Sequence, residues 1–176
     1  MPWTAPPSPP DWAPFVTVPT GDKAPGPRKL GGPHGIGDRM RIAAFAELQA
    51  REAFLWGADT FDDAPEELRG AWRALAEEED KHLGWLLDRM AELGVTPQGR
   101  LVSAHLFRGL TGCTTAHEFA WYMAKAEDRG RIAGEQFANK LADVDPTSAR
   151  IFGQIAAEET EHIALAMRFF PESDRA

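Results

Sequence analysis

The stretch Ala76-Glu77-Glu78-Glu79-Asp80-Lys81-His82 sets a glutamate three positions before a histidine, and Ala157-Glu158-Glu159-Thr160-Glu161-His162 repeats that spacing. Residues three apart on a helix project from neighbouring points of one face, so the carboxylate and the imidazole reach one metal ion or two adjacent ones. A single Glu-x-x-His is a weak signal, and its partners decide the matter. In an antiparallel helical hairpin, residues equally far from the turn lie opposite each other. Glu47 and Glu79 are centred on residue 63, beside Pro65, and Glu127 and Glu159 on residue 143, just before Pro146. Both separations are 32 residues, and one shift of 80 carries Glu47 onto Glu127, Glu79 onto Glu159 and His82 onto His162. Four Glu and two His converging on a bundle centre form the dinuclear carboxylate pattern, with two Glu able to bridge both metals and each His capping one. We therefore expect Glu47, Glu79, His82, Glu127, Glu159 and His162 to hold two metal ions and to form the catalytic centre.

Acidic runs such as Glu77-Glu78-Glu79-Asp80 ordinarily mark a solvated helix face. Here Trp72, Leu75, Leu83 and Leu86 share the face of Glu79, and Phe152, Ile155 and Ile163 that of Glu159 and His162, which turns the ligands inward. Buried carboxylates are costly without compensation, and divalent cations balance them. Glu78 and Glu158, each just before a motif, are expected to reach across to the histidine of the opposing helix, Glu78 to His162 and Glu158 to His82, fixing the tautomer. Arg51 and Arg131 each follow a ligand glutamate by four, which allows either contact with an anionic substrate or an ordinary helical salt bridge. His117 lies about 15 Å along its helix from Glu127, too far to ligate. His34 and His105 have no ligand-like partner nearby, and Tyr122 is off the ligand face. The small residues Ala43, Ala44, Ala120, Ala124 and Gly134 leave room either for a pocket or for close helix packing.

Around these motifs, apolar residues recur every three or four positions from about Asp38 onward, the mark of amphipathic helices. Four long helices follow: about 38–57, ending at Gly57; from after Asp63, with Pro65 in its first turn, to Gly94; from the Thr115/Glu118 capping box to about Ala142; and from Asp145-Pro146 to about Phe170. The connection from Val95 to Thr114, with a short helix near Leu101–Leu110, is long enough to cross the bundle. The expected fold is all-α: two antiparallel hairpins joined by one long crossover, a ferritin-like four-helix bundle. Ten of the fourteen prolines fall between Pro2 and Pro33. Residues 1–35 are accordingly read as an extended arm, packed on the bundle of 36–176 through Trp3, Trp12, Phe15, Val16 and Val18.

The segments Ala46-Glu47-Leu48-Gln49-Ala50, Ala76 to His82, Ala126-Glu127-Asp128-Arg129-Gly130 and Ala157 to His162 resemble the ferritin-like diiron-carboxylate superfamily, over roughly Lys29 to Pro171. They look most like a bacterial ferritin-like family of unknown function related to the diiron tRNA hydroxylase, in which an Arg-Lys-Leu-Gly element precedes the first helix; here it is Arg28-Lys29-Leu30-Gly31. The resemblance implies an iron centre, with iron-manganese or manganese as variants, on the six ligands named above.

Such a centre suggests a non-haem dimetal oxidoreductase that uses dioxygen and an external electron donor to oxidise or hydroxylate a small molecule. Ferroxidase or other iron handling is the second reading, and rubrerythrin-like peroxide reduction the third; the single cysteine, Cys113, supplies no rubredoxin-type iron site. A net charge of -8 disfavours nucleic acid as a partner. No apolar run is long enough to span a membrane. The expectation is a bacterial-type cytoplasmic protein, with a homodimer compatible with the pattern.

Overall fold

The computed structural model of the chain describes residues 8–171. Four long helices form the body: α1 (Gly35–Thr60), α2 (Glu66–Glu92), α4 (Ala116–Leu141) and α5 (Pro146–Phe169), with a short α3 (His105–Thr111) in the crossover. α1 pairs along its length with α2, and α4 with α5, while α2 and α5 join the hairpins. Among the described residues the chain is all-helical, and no helix is long and apolar enough to cross a membrane.

Local signals place the later helix starts. Thr115 accepts a hydrogen bond from Glu118 N at 3.1 Å, while the Glu118 carboxylate reaches back one residue further, to Thr114 N at 2.8 Å. Asp145 caps α5 by accepting from Ser148 N at 3.1 Å. The ends of α1 differ from expectation because its glycines serve packing. A Cβ on Gly37 would lie 2.7 Å from Val95, and one on Gly57 would lie 2.7 Å from the Phe119 ring. Each lets another segment close on the helix, so α1 begins before Asp38 and runs through Gly57 to Thr60. Pro65 sits just ahead of α2 rather than in its first turn. The crossover helix starts at His105, since Val102 is taken into a parallel bridge with Thr17 of the arm.

Of the arm residues, Trp3 lies outside the described residues. Phe15 and Val18 are buried, Val16 is exposed, and Trp12 meets Phe45 and Phe107 edge-on at 5.3 and 5.2 Å. Arg28 fixes the far end of the arm: its Nε and Nη2 donate to the buried Asp38 at 2.8 and 2.7 Å. The core has two clusters, one around Phe54, Trp72 and Phe119, the other around Phe45, Leu86 and Phe152.

Candidate metal centre

Each long helix brings its glutamate to the bundle axis from near its middle. Glu47 comes from α1, Glu79 and His82 from α2, Glu127 from α4, and Glu159 and His162 from α5. All six are buried, Glu79 at 1% and His82 at 0% exposure. They fall into two groups of potential ligand atoms, Glu47, Glu79, His82 and Glu159 in one and Glu79, Glu127 and His162 in the other, with the atoms in each group within 4.8 Å of one another. Glu79 belongs to both. The two imidazoles lie nearly parallel, their centres 6.2 Å apart.

The outer nitrogens of the histidines are occupied. His82 Nε2 lies 2.7 Å from Glu158 Oε2, and His162 Nε2 lies 2.7 Å from Glu78 Oε2, the cross-helix pairs anticipated from the sequence. A carboxylate at Nε2 selects the Nε2–H tautomer and leaves the Nδ1 lone pair facing inward. Lys81 Nζ adds an ion pair to Glu158 at 2.8 Å and lies 5.0 Å above the Trp85 ring, which in turn packs on His82. Neither Lys81 nor Trp85 carried a sequence signal beyond its nearness to a motif.

Whether a cation fits is decided by the unmatched atoms. Among the described residues, seven buried side-chain polar atoms have no hydrogen-bond partner, and six belong to this cluster: Glu79 Oε1, His82 Nδ1, both Glu127 oxygens, Glu159 Oε2 and His162 Nδ1. His162 Nδ1 approaches Glu79 Oε1 to 2.9 Å, yet the two are not aligned as a hydrogen bond. Leaving that many polar groups desolvated is expensive, and a metal ion uses them all. The buried cluster could therefore hold metal.

Electrostatics in the metal-free chain agree. Burial lifts Glu127 to about 7 and, with the charges of Glu127 and Glu79, lifts Glu159 to about 9. Burial and the charge of Glu79 likewise push Glu47 well above the usual carboxylate range. Burial alone would lower His162, but the Glu127 and Glu79 carboxylates facing its Nδ1 outweigh it and raise this group to about 11. Burial also pushes Glu79 upward, but the close approach of Glu47, His162 and His82 holds it low. Protons occupy the place of cationic charge.

A cavity of about 370 Å³ opens beside the cluster, between α1 and α4. Ala43, Ala46, Ala50, Ala126, Gly130, Ala133 and Gly134 form much of its wall, and Glu47, Glu79, Glu127 and Glu159 its floor. Of the small residues singled out in the sequence, Ala43 and Gly134 line it; Ala44, Ala120 and Ala124 are buried in helix packing instead. The missed signal was the same shift of 80, which carries Ala46 onto Ala126 and Ala50 onto Gly130. Arg51 is ion-paired with Asp80 and Glu52, and Arg131 with Asp128 and Glu135; neither lines the cavity.

A family model described as "Protein of unknown function (DUF455)" matches residues 3–175. The chain belongs to that family. No curated protein matches it. Among solved structures, the dodecameric thioferritin of the bacterial domain, the bacterioferritin-related protein from Bacteroides fragilis, superimposes with a TM-score of 0.68 at 22% identity. The alignment covers 82% of this chain and 89% of that one, and at such identity it speaks for the fold alone. The ferritin-like fold and the buried Glu/His cluster together suit a metal-binding protein.

Proposed function

We propose that the protein is a non-haem dimetal oxidoreductase, with iron in both positions, that activates dioxygen to oxidise or hydroxylate a small apolar molecule. The observation that carries this reading is the apolar cavity whose floor is four of the ligand carboxylates. A volume of 370 Å³ is near the low end of the roughly 300–1,000 Å³ typical of small-molecule sites. Reduced iron bound by Glu47, Glu79, His82, Glu127, Glu159 and His162 would supply the electrons and Lewis acidity for dioxygen activation. The chain's own part is positional. Glu79 would join the two metal positions, and Glu78 and Glu158 would orient the imidazoles through Nε2. The alanine and glycine walls would exclude water and hold a C–H bond against the floor. In a hydroxylation, one oxygen atom enters the substrate and the other leaves as water, with the electron pair from an external reductant and the protons from solvent.

Iron handling is a second reading, favoured by the structural neighbour's being described as a thioferritin. Anaerobic loading with Fe(II), elemental analysis and then oxygen exposure separates the two. The oxidase reading expects two irons per chain and oxygen uptake sustained by a reductant and increased by an apolar substrate. Uptake that ends when added Fe(II) is exhausted, and leaves ferric mineral, would defeat it.

A further inference from the structure

The cavity's lining is unusually one-sided in charge. Among the described residues, and apart from the four carboxylates of the floor, Arg39 is its only charged residue, and no other polar side chain lines it. Arg39 lies in α1 eight residues before Glu47, about 12 Å along the helix axis, and one turn from the exposed Ile42, so it marks the outer end of the cavity. Its guanidinium is fixed in place. Nη1 donates to Arg28 O at 2.7 Å and Gly35 O at 2.9 Å, and the group lies 5.6 Å from the centre of the Phe137 ring. Among the described residues, Nε and Nη2 have no hydrogen-bond partner and no carboxylate pairs with Arg39. Its neighbours differ: Arg28, Arg41 and Arg100 all face the single carboxylate of Asp38. The mouth is thus a positively charged spot on a chain of net charge -8.

We propose that this site takes an apolar carboxylate, with its hydrocarbon body along the alanine and glycine walls and its anionic end on Arg39. This rests on reading the cavity as a substrate pocket and adds the substrate class. A charge placed deeper among the alanines would lose its hydration without a partner, whereas at the mouth a planar carboxylate meets a guanidinium with two free donor positions. A cationic substrate would find no acceptor there. The distance from Arg39 to the floor sets the length, which fits a medium-length chain better than a compact acid.

The test compares decanoate with decanol by titration calorimetry on the full chain loaded with Zn(II), which is redox-inert. The expected result is a roughly ten- to hundred-fold tighter affinity for the acid. The gap should close in Arg39→Gln, persist in part in Arg39→Lys, and both ligands should weaken in Ala43→Phe, which fills the cavity. Equal affinity of acid and alcohol for the unaltered chain overturns the proposal without any variant. So does a gap that survives Arg39→Gln, since the carboxylate would then lie on the floor, or full binding in Ala43→Phe. Because zinc supports no turnover, decanoate binding of this kind in a protein that consumes no oxygen with Fe(II) would defeat the oxidase reading and support the pocket assignment.

Discussion

Glu79 is the residue on which the proposed centre turns, since it belongs to both groups of potential ligand atoms. In Glu79→Gln, metal content by elemental analysis should fall to roughly half or less, while Glu158→Gln, which removes the negative charge shared by His82 and Lys81, should keep the metal and weaken its affinity by about 10–100-fold. The reverse order of severity would contradict the ligand assignment. The pH dependence follows from the raised groups. Glu47, Glu127 and Glu159 bind protons more tightly folded than unfolded, so each stabilises the metal-free chain in acid and loses that contribution as pH rises through its folded value, about 7 for Glu127 and about 9 for Glu159. His162, raised to about 11, acts in the same direction from its unfolded value of about 6.5 upward. Glu79 opposes them, but its contribution is lost only in acid. Metal displaces these protons, so the gain in melting temperature on adding Zn(II) should grow between about pH 6 and 9. A gain that stays flat or shrinks over that range would count against the cluster as the binding site.

Among the elements, the helix ends tie the hairpins and the arm together. Asp145 caps α5 and also accepts from Arg89 Nη2 of α2 at 2.8 Å, so it joins the end of one hairpin to the turn of the other. Asp145→Ala should cost about 1–2 kcal/mol in urea unfolding. Asp38 is more deeply placed, with Arg28 of the arm, Arg41 of α1 and Arg100 of the crossover around it. Asp38→Asn leaves the buried Arg41 uncompensated and should cost about 3–5 kcal/mol, the larger loss of the two. The capping signals of α4 and α5 were legible because Thr115, Pro146 and Asp145 act within one turn. The ends of α1 were not, because Gly57 reads as a helix stop until Phe119 is seen packed against it, and the turn before Asp38 shows its place only through the contact of Gly37 with Val95.

At the scale of the whole molecule, the Glu/His cluster lies between two apolar clusters, and Phe15 of the arm belongs to one of them. Phe15 is buried against Phe45 at 5.1 Å, so Phe15→Ala should destabilise the fold by about 3 kcal/mol. We further expect one cooperative thermal transition, since the arm's apolar residues share the bundle's core. A separate early transition for the arm would instead favour a division of the chain near residue 35. The acidic composition hid another feature of the whole. The arginines around Asp38 and the one at the cavity mouth come from the arm, α1 and the crossover, distant segments whose proximity no local pattern declares.

The amino-acid order by itself determined the helical hairpins and the six converging side chains, because helical periodicity and reflection through a turn depend only on spacing. It also implied the Glu78 and Glu158 partners, for the same reason. Only the tertiary structure decided that α1 and α4 stand apart enough to leave a cavity, and that the arm and crossover close on the glycines of α1. Empty space and close approach depend on how several segments share one volume, which no spacing along a single chain encodes.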